Sequence, residues 1–413
     1  MSARKMKTPP SRIGLAYTDR RGSVFFDPES EPLADAGVVR PVALDELIAA
    51  PPGVVPTMLP GRTPLLAHGR SAKRTALGVL LPAGYTRLLL PAYRSEPGSP
   101  TLPLYGYAFA AVVGDRLMTA AVKTDEDVDW SPRHFAQGEL EAAVAARLRD
   151  DPHNRVLLQV ARCSLEYGCF TAQNHFLVKG EAALPVSPSC NARCVGCISE
   201  QDADAGIPSP QARILDDVTV DELVRAALAH LERVPGGIVS FGQGCEGEPL
   251  LRATLIARTI ERIRARHSSG IVNCNTNGSL PRSLRMLIDA GLDAVRISLN
   301  SFRPEVYAAY YRPVGYTLDD VFESIRLACE RGLRVSLNLL THPGVTDDPD
   351  ELVAMESFLA SVRVAMIQTR TLNIDPERYF AVVGRPESPV GMRKALVRIA
   401  ALGIRLGNFT HVH

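Results

Sequence analysis

Three cysteines fall within one short stretch, Cys190-Asn191-Ala192-Arg193-Cys194-Val195-Gly196-Cys197. The spacing C-x3-C-x2-C leaves the backbone able to wrap one face of a metal centre, and thiolate sulfur is a soft ligand suited to iron. Three thiolates hold three corners of a cubane iron–sulfur cluster. A closed site needs a fourth ligand, and the next cysteine is the distant Cys245. One iron is therefore left open to bind a small molecule. A zinc knuckle, or three unrelated buried thiols, are the alternatives that spacing alone leaves standing.

Eight cysteines in 413 residues do not make a disulfide scaffold, and the crowding of three in one loop suggests metal binding in a reducing compartment. Residues 1–12 are basic and polar, without the apolar run of a secretory signal. No uncharged apolar run reaches the ~18 residues that a membrane span needs. The chain is therefore expected to be cytoplasmic and away from membranes. A formal net charge of +1 gives no global field for nucleic acid, and no basic stripe with stacking aromatics argues for RNA.

The first part of the chain is punctuated by proline and glycine. Residues 13–17 and 23–26 flank Asp19-Arg20-Arg21-Gly22, and 104–113 and 117–122 flank Gly114-Asp115-Arg116, two hairpin signals. The only tryptophan, Trp130, closes this part. Helical periodicity follows over 139–148 and from Asn154 to about Gly168. The boundaries are 1–135 for an irregular, mostly β N-terminal domain, 136–181 for a helical connector, 182–375 for the core, and 376–413 for a C-terminal helix and tail.

From 182 onward apolar strands alternate with helices. The strands are 182–186, 237–241, 271–275, 293–299, 334–340 and 362–368. Helices intervene, one opened by the capping box Thr219-Val220-Asp221-Glu222 and one by Pro281. Strands alternating with helices demand a parallel sheet, an α/β class, with ligand chemistry at the strands' C-terminal ends. The polar motifs lie at such ends: Gly242 to Pro249, Asn273 to Gly278, and Arg296-Ile297-Ser298-Leu299-Asn300. Alternation puts Arg296, Ser298 and Asn300 on one face. Asn338, His342, Arg370 and Asn373 are further polar residues near strand ends. For each, an ordinary turn or a satisfied structural side chain is the competing reading.

Cysteine loop and motifs together resemble the radical S-adenosylmethionine (radical SAM) superfamily, over about 182–368. The resemblance implies a partial (β/α)6 barrel and a [4Fe–4S] cluster on Cys190, Cys194 and Cys197. It implies that SAM chelates the open iron and is reductively cleaved to a 5′-deoxyadenosyl radical, which abstracts hydrogen from substrate. The cofactors supply that chemistry while the protein orients them. Gly247-Glu248-Pro249 resembles the end of the family's Gly-Gly-Glu-Pro motif, with Glu246 in place of the first glycine. Gly247 then allows close backbone approach, and Glu248 meets the SAM ammonium. Asn275 and Asn277 line the cofactor pocket, and Arg296 and Ser298 face the SAM ribose or carboxylate. Gly196 stands where the family usually has an aromatic residue, so Ile198 is the candidate to cover that space.

The family chemistry also implies a one-electron donor such as a flavodoxin or ferredoxin. Cys163, Cys169, Cys245 and Cys274 are either inert buried thiols or ligands of a second iron–sulfur cluster. The size of the N-terminal part favours a peptide or protein substrate. A non-catalytic iron–sulfur or zinc protein on a related barrel is the rival class.

Overall fold

The structure, a computed structural model, describes residues 12–69, 71, 73–125 and 137–408. Trp130, the basic stretch up to Ser11 and the 135/136 boundary lie outside the described residues. The chain divides into two compact units. One comprises Met1–Thr124, Thr341–Leu352 and Thr371–Arg398, the other Asp125–Leu340, Val353–Arg370 and Ile399–His413.

The first unit is mostly antiparallel β structure, joined by the helix Pro376–Val383. Its strand Ile13–Thr18 pairs with Val24–Asp27, Thr75–Leu80 and Tyr107–Val113. The first hairpin closes where expected, with the Asp19 carboxylate accepting from the Arg21 and Ser23 N–H groups at 2.8 and 3.0 Å. Tyr107–Val113 pairs with Arg116–Thr119 as the second hairpin. Small and aliphatic side chains fill the core here: Ala16, Leu77, Val79, Ala108 and Ala110. Within the same unit a buried ion pair joins Arg62 to Asp375 at 3.1 Å, both side chains 3% exposed.

The second unit contains a seven-stranded sheet in sequence order: β1 (Glu181–Ala183), β2 (Ile238–Phe241), β3 (Ile271–Thr276), β4 (Ala294–Leu299), β5 (Arg334–Thr341), β6 (Met366–Thr371) and β7 (Arg405–Gly407). Strands β1 to β5 pair parallel in succession, and β7 pairs parallel with β6. The sheet is open, with β1 and β7 at its edges. The sequence showed six strands; the seventh, Arg405–Gly407, falls in what read as a tail. Helices Phe170–Leu177, Pro304–Tyr311 and Pro376–Val383 were likewise not anticipated. All are eight-residue helices, two turns being too few to register as periodicity.

Alternation sorts the two faces of this sheet. Val239, Phe241, Val272, Cys274, Val295, Ile297, Val335, Leu337 and Ile367 are fully buried on one face. The other face is polar: Ser240, Asn273, Asn275, Arg296, Ser298, Ser336 and Asn338. Thirteen-residue and shorter amphipathic helices cover the apolar side. Val220–Leu231 begins at the expected capping box, with the Thr219 side chain accepting from Glu222 N–H. Helix Pro281–Asp289 begins at its proline. No helix among the described residues is long and apolar enough to cross a membrane.

Candidate active site

Beyond β1 the chain runs through Val186 and Ser187 into the cysteine loop. The loop is stapled to the segment around Tyr311. Arg193 N–H donates to the Tyr311 carbonyl and Val195 N–H to the Tyr310 carbonyl, both at 3.0 Å. Val314 N–H donates to the Asn191 carbonyl at 2.9 Å, and Ala192 bridges to Pro313. Cys190, Cys194 and Cys197 are all half-buried and free. Burial pushes the Cys190 thiol up to about 11 and Cys194 well above its ordinary range, with the other two cysteines adding to the rise at Cys194. Binding metal must therefore expel protons from them.

Glu246, the departure from the family motif, has a clear task. Its Oε2 accepts from Val186 N–H (2.8 Å) and Ser187 N–H (3.0 Å). Its Oε1 accepts from Gly242 N–H (2.6 Å) and Gln243 N–H (3.1 Å). One buried carboxylate thus joins the entry to the cysteine loop to the turn after β2. Burial pushes it up to about 7, while the four N–H donors pull it back.

Gly247 sits directly behind the loop. Its N–H donates to Ser187 at 2.6 Å, and a Cβ there would lie 2.0 Å from the Ser189 carbonyl oxygen. The close approach that requires glycine is to the chain's own backbone. Glu248 is 3% exposed and turned inward. It accepts from Leu250 N–H (3.0 Å), Thr276 Oγ1 (2.5 Å) and Asn277 N–H (2.8 Å), and burial raises it to about 7. Asn277 Nδ2 donates to Asn191 Oδ1 at 2.9 Å, and Asn191 Nδ2 to Ser279 Oγ at 2.9 Å. These residues tie the ends of β2 and β3 to the cysteine loop.

On the polar face of the sheet Arg296 is engaged by Glu181, an ion pair at 2.9 Å with side chains 9% and 5% exposed. Arg296 also donates to Asn275 Oδ1 at 3.1 Å, and Gln243 Nε2 donates to Glu181 Oε1 at 3.2 Å. Asn275 Nδ2 donates to the Phe241 carbonyl. Arg296 and Asn275 thus have partners inside the protein. Ser298 stands opposite Asn338, whose buried Oδ1 has no partner. Asn300 donates to the Val306 carbonyl and supports the helix Pro304–Tyr311. Arg370 donates to the Asn408 carbonyl at 2.7 Å. His342 belongs to the first unit, its ring packed 4.6 Å from Tyr379 and 5.0 Å from Phe380, and Asn373 is exposed in the same unit.

Several contributors were not legible as site residues. Ile198 covers Gly244, where a Cβ would fall 2.6 Å from its Cδ1. The aromatic surroundings of the loop come instead from Tyr307, Tyr311 and Tyr316. Tyr307 stacks on Tyr311 at 4.5 Å, its hydroxyl 3.2 Å from that of Tyr316. All three hydroxyls are held protonated, chiefly by burial, with Cys194 among the contributing charges. Four of the chain's 11 tyrosines lie between 307 and 316, a local enrichment that was the available signal.

The residues present fit an iron–sulfur cluster. Tyr311 Oη is buried and unpartnered, a donor beside Cys194 for which cluster sulfur is a fitting acceptor. Among the described residues no group of three or more His, Cys, Asp or Glu side chains is arranged to hold a metal ion. The four cysteines considered for a second cluster separate into two groups. Cys163 and Cys245 are close enough to perturb one another's thiols, and Cys169 is close enough for Cys163 to add to its burial-driven rise. Cys274 lies on the opposite, helix-facing side with Val272, so the four cysteines do not form one set.

Residues 184–355 match the family model described as Radical SAM superfamily. A GTP 3',8-cyclase of Streptomyces coelicolor is 33% identical over 179 residues, 42% of this chain and 49% of that protein. A GTP 3',8-cyclase of Heliobacterium modesticaldum is 30% identical over 229 residues, 54% of this chain and 63% of that one. The FeMo cofactor biosynthesis protein NifB of Klebsiella pneumoniae is 24% identical over 269 residues, 62% of this chain and 56% of that protein. The chain spans between about half and three fifths of the length of these relatives. Cysteine loop, parallel strands and sequence match agree, and residues 184–355 are a radical SAM domain.

Proposed function

We propose that this chain reductively cleaves SAM at a [4Fe–4S] cluster held by Cys190, Cys194 and Cys197, and acts on a small molecule in a biosynthetic reaction. The observation that carries the proposal is the three-thiol loop, braced from behind by Glu246, Gly247 and Asn277 at the C-terminal end of a parallel sheet. When bound, the cluster supplies the electron that splits the C5′–S bond of SAM, and the deoxyadenosyl radical then takes a hydrogen atom from substrate.

The chain's own residues orient and enclose. Glu248, saturated by three donors, stiffens the turn whose backbone borders the cysteine loop. Ser298 and Asn338 offer polar groups toward SAM or substrate, and the unpartnered Asn338 Oδ1 is an acceptor for a ligand N–H or O–H. Arg296 serves the wall of the site through Glu181 and acts on a ligand only at the cost of that pair. The helix-facing Cys274 leaves too few gathered thiols to include a second cluster in the proposal.

A peptide or protein substrate, favoured by the size of the N-terminal part, has no support from the relatives. Their names point to a nucleotide and to a metal cofactor precursor. A non-catalytic zinc protein is disfavoured by the match to the Radical SAM superfamily and by relatives whose names are those of biosynthetic proteins. The test is anaerobic reconstitution followed by metal analysis and reduction in the presence of SAM. Four irons per chain and reductant-dependent 5′-deoxyadenosine, both lost in Cys194→Ala, are expected. Bound zinc without SAM turnover would sink the proposal.

A further inference from the structure

Segment 211–214 is pinned beside the exit of the cysteine loop. Gln211 N–H donates to the Ile198 carbonyl at 3.1 Å, and Ile214 N–H to the Cys245 carbonyl at 2.8 Å. Between these anchors Arg213 points its guanidinium at the third cysteine. Nη2 donates to Cys197 Sγ at 3.8 Å, and Nε donates to Ser199 Oγ at 3.3 Å. Nη1 meets Glu200 Oε2 at 2.6 Å; the Arg213 side chain is 9% exposed and that of Glu200 67%. Arg213 borders a hollow of about 400 Å³ with Tyr167, Ser199 and Glu200. The Arg213 side chain is thus a mostly buried cation that donates to a would-be cluster ligand.

We infer that Arg213 is a positioning residue for electron entry: its fixed positive charge on the Cys197 sulfur makes one-electron reduction of the cluster easier. This rests on the cluster reading above. One electron arrives from a one-electron donor of the flavoprotein or ferredoxin class, or from dithionite in the test, and adds one negative charge to the centre. A cation held against a ligating sulfur stabilises that added charge, and hydrogen bonds to sulfur and local charge are established determinants of cluster potential. Glu200 offsets part of the effect, but it is mostly in water and is screened more than Arg213.

The experiment is an EPR-monitored redox titration of reconstituted wild type, Arg213→Gln, Arg213→Lys and Glu200→Gln, with iron and sulfide measured first. At one fixed solution potential the ratio of reduced to oxidised cluster should fall about tenfold in Arg213→Gln, a midpoint lower by about 59 mV for one electron. Arg213→Lys should restore most of it, and Glu200→Gln should shift the midpoint upward. A merely structural role cannot give opposite signs for the two neutralising changes. Equal midpoints in wild type and Arg213→Gln at full iron content would overturn the inference, as would a downward shift in Glu200→Gln. If Arg213→Gln takes up no iron, the direction seen in Glu200→Gln decides alone. Wild type that binds no four-iron cluster would instead bring down the functional reading itself, and the metal content reveals that before any potential is measured.

Discussion

The carboxylate of Glu246 accepts a hydrogen bond from the backbone N–H of Ser187 at 3.0 Å, across 59 residues of chain. With Val186, Gly242 and Gln243 it completes a ring of four N–H donors about one buried anion. Glu246→Gln keeps the volume but turns an amide N–H₂ toward donors, leaving two of them unsatisfied. The variant should lose about 2–4 kcal/mol of stability, read by urea denaturation, and should bind less iron on reconstitution. Wild-type stability with full iron content would show that the ring carries no load.

Gly247→Ala tests the contact behind the first cysteine. The added Cβ would lie 2.0 Å from the Ser189 carbonyl oxygen and 3.1 Å from Cys190 N, so the loop must move. A cost of about 1–3 kcal/mol is expected, with a larger fractional loss of cluster uptake than of folded protein. Metal content per folded chain, measured after gel filtration, checks this.

Tyr311→Phe removes a buried hydroxyl that has no partner in the protein itself. In the metal-free protein the change should be neutral or stabilising by about 1 kcal/mol. A clear loss of metal-free stability in denaturant titration would mean that the hydroxyl has a bond after all.

Glu222 gives a pH dependence. Hydrogen bonds from Arg155, and next to them those from the Arg155 and Thr219 backbone, hold its pKa at about 2, below its ordinary 4.5. A depressed folded-state pKa means that the stabilisation is complete above about pH 4.5 and is lost as pH falls toward 2. Glu222→Gln should flatten the stability profile in that window and leave the profile above pH 6 parallel to wild type. Thermal melts at closely spaced pH values would expose a contrary result as an unchanged acid slope.

Arg62 in the first unit is held by Asp375 and also donates to the Pro60 and Pro100 carbonyls at 2.9 and 2.6 Å. Arg62→Met strands Asp375 in the interior and should cost about 3–5 kcal/mol. The double variant Arg62→Met with Asp375→Asn should recover part of it. A double variant no better than the single one would place the cost in packing rather than in the orphaned charge.

Local patterns determined a large part of this protein before any contact was known. The cysteine spacing, the first six strands, the capping box at Thr219, the proline at 281 and the turns at Gly22 and Gly114 all follow from neighbours a few residues apart, where sterics and short-range hydrogen bonding decide. Tertiary structure alone decided what those patterns meet. Glu246 read as a lapse from a motif until Val186 and Ser187, about 60 residues earlier, came within reach of it. Arg296 stood in its motif without a visible partner, and only β1 brings Glu181 against it. Tyr311 and Arg213 stood in unremarked segments until folding set one beside Cys194 and the other on Cys197. Period and spacing report what one stretch can become; the partner of a buried charge or hydroxyl comes from elsewhere in the chain, and only the packed sheet selects it.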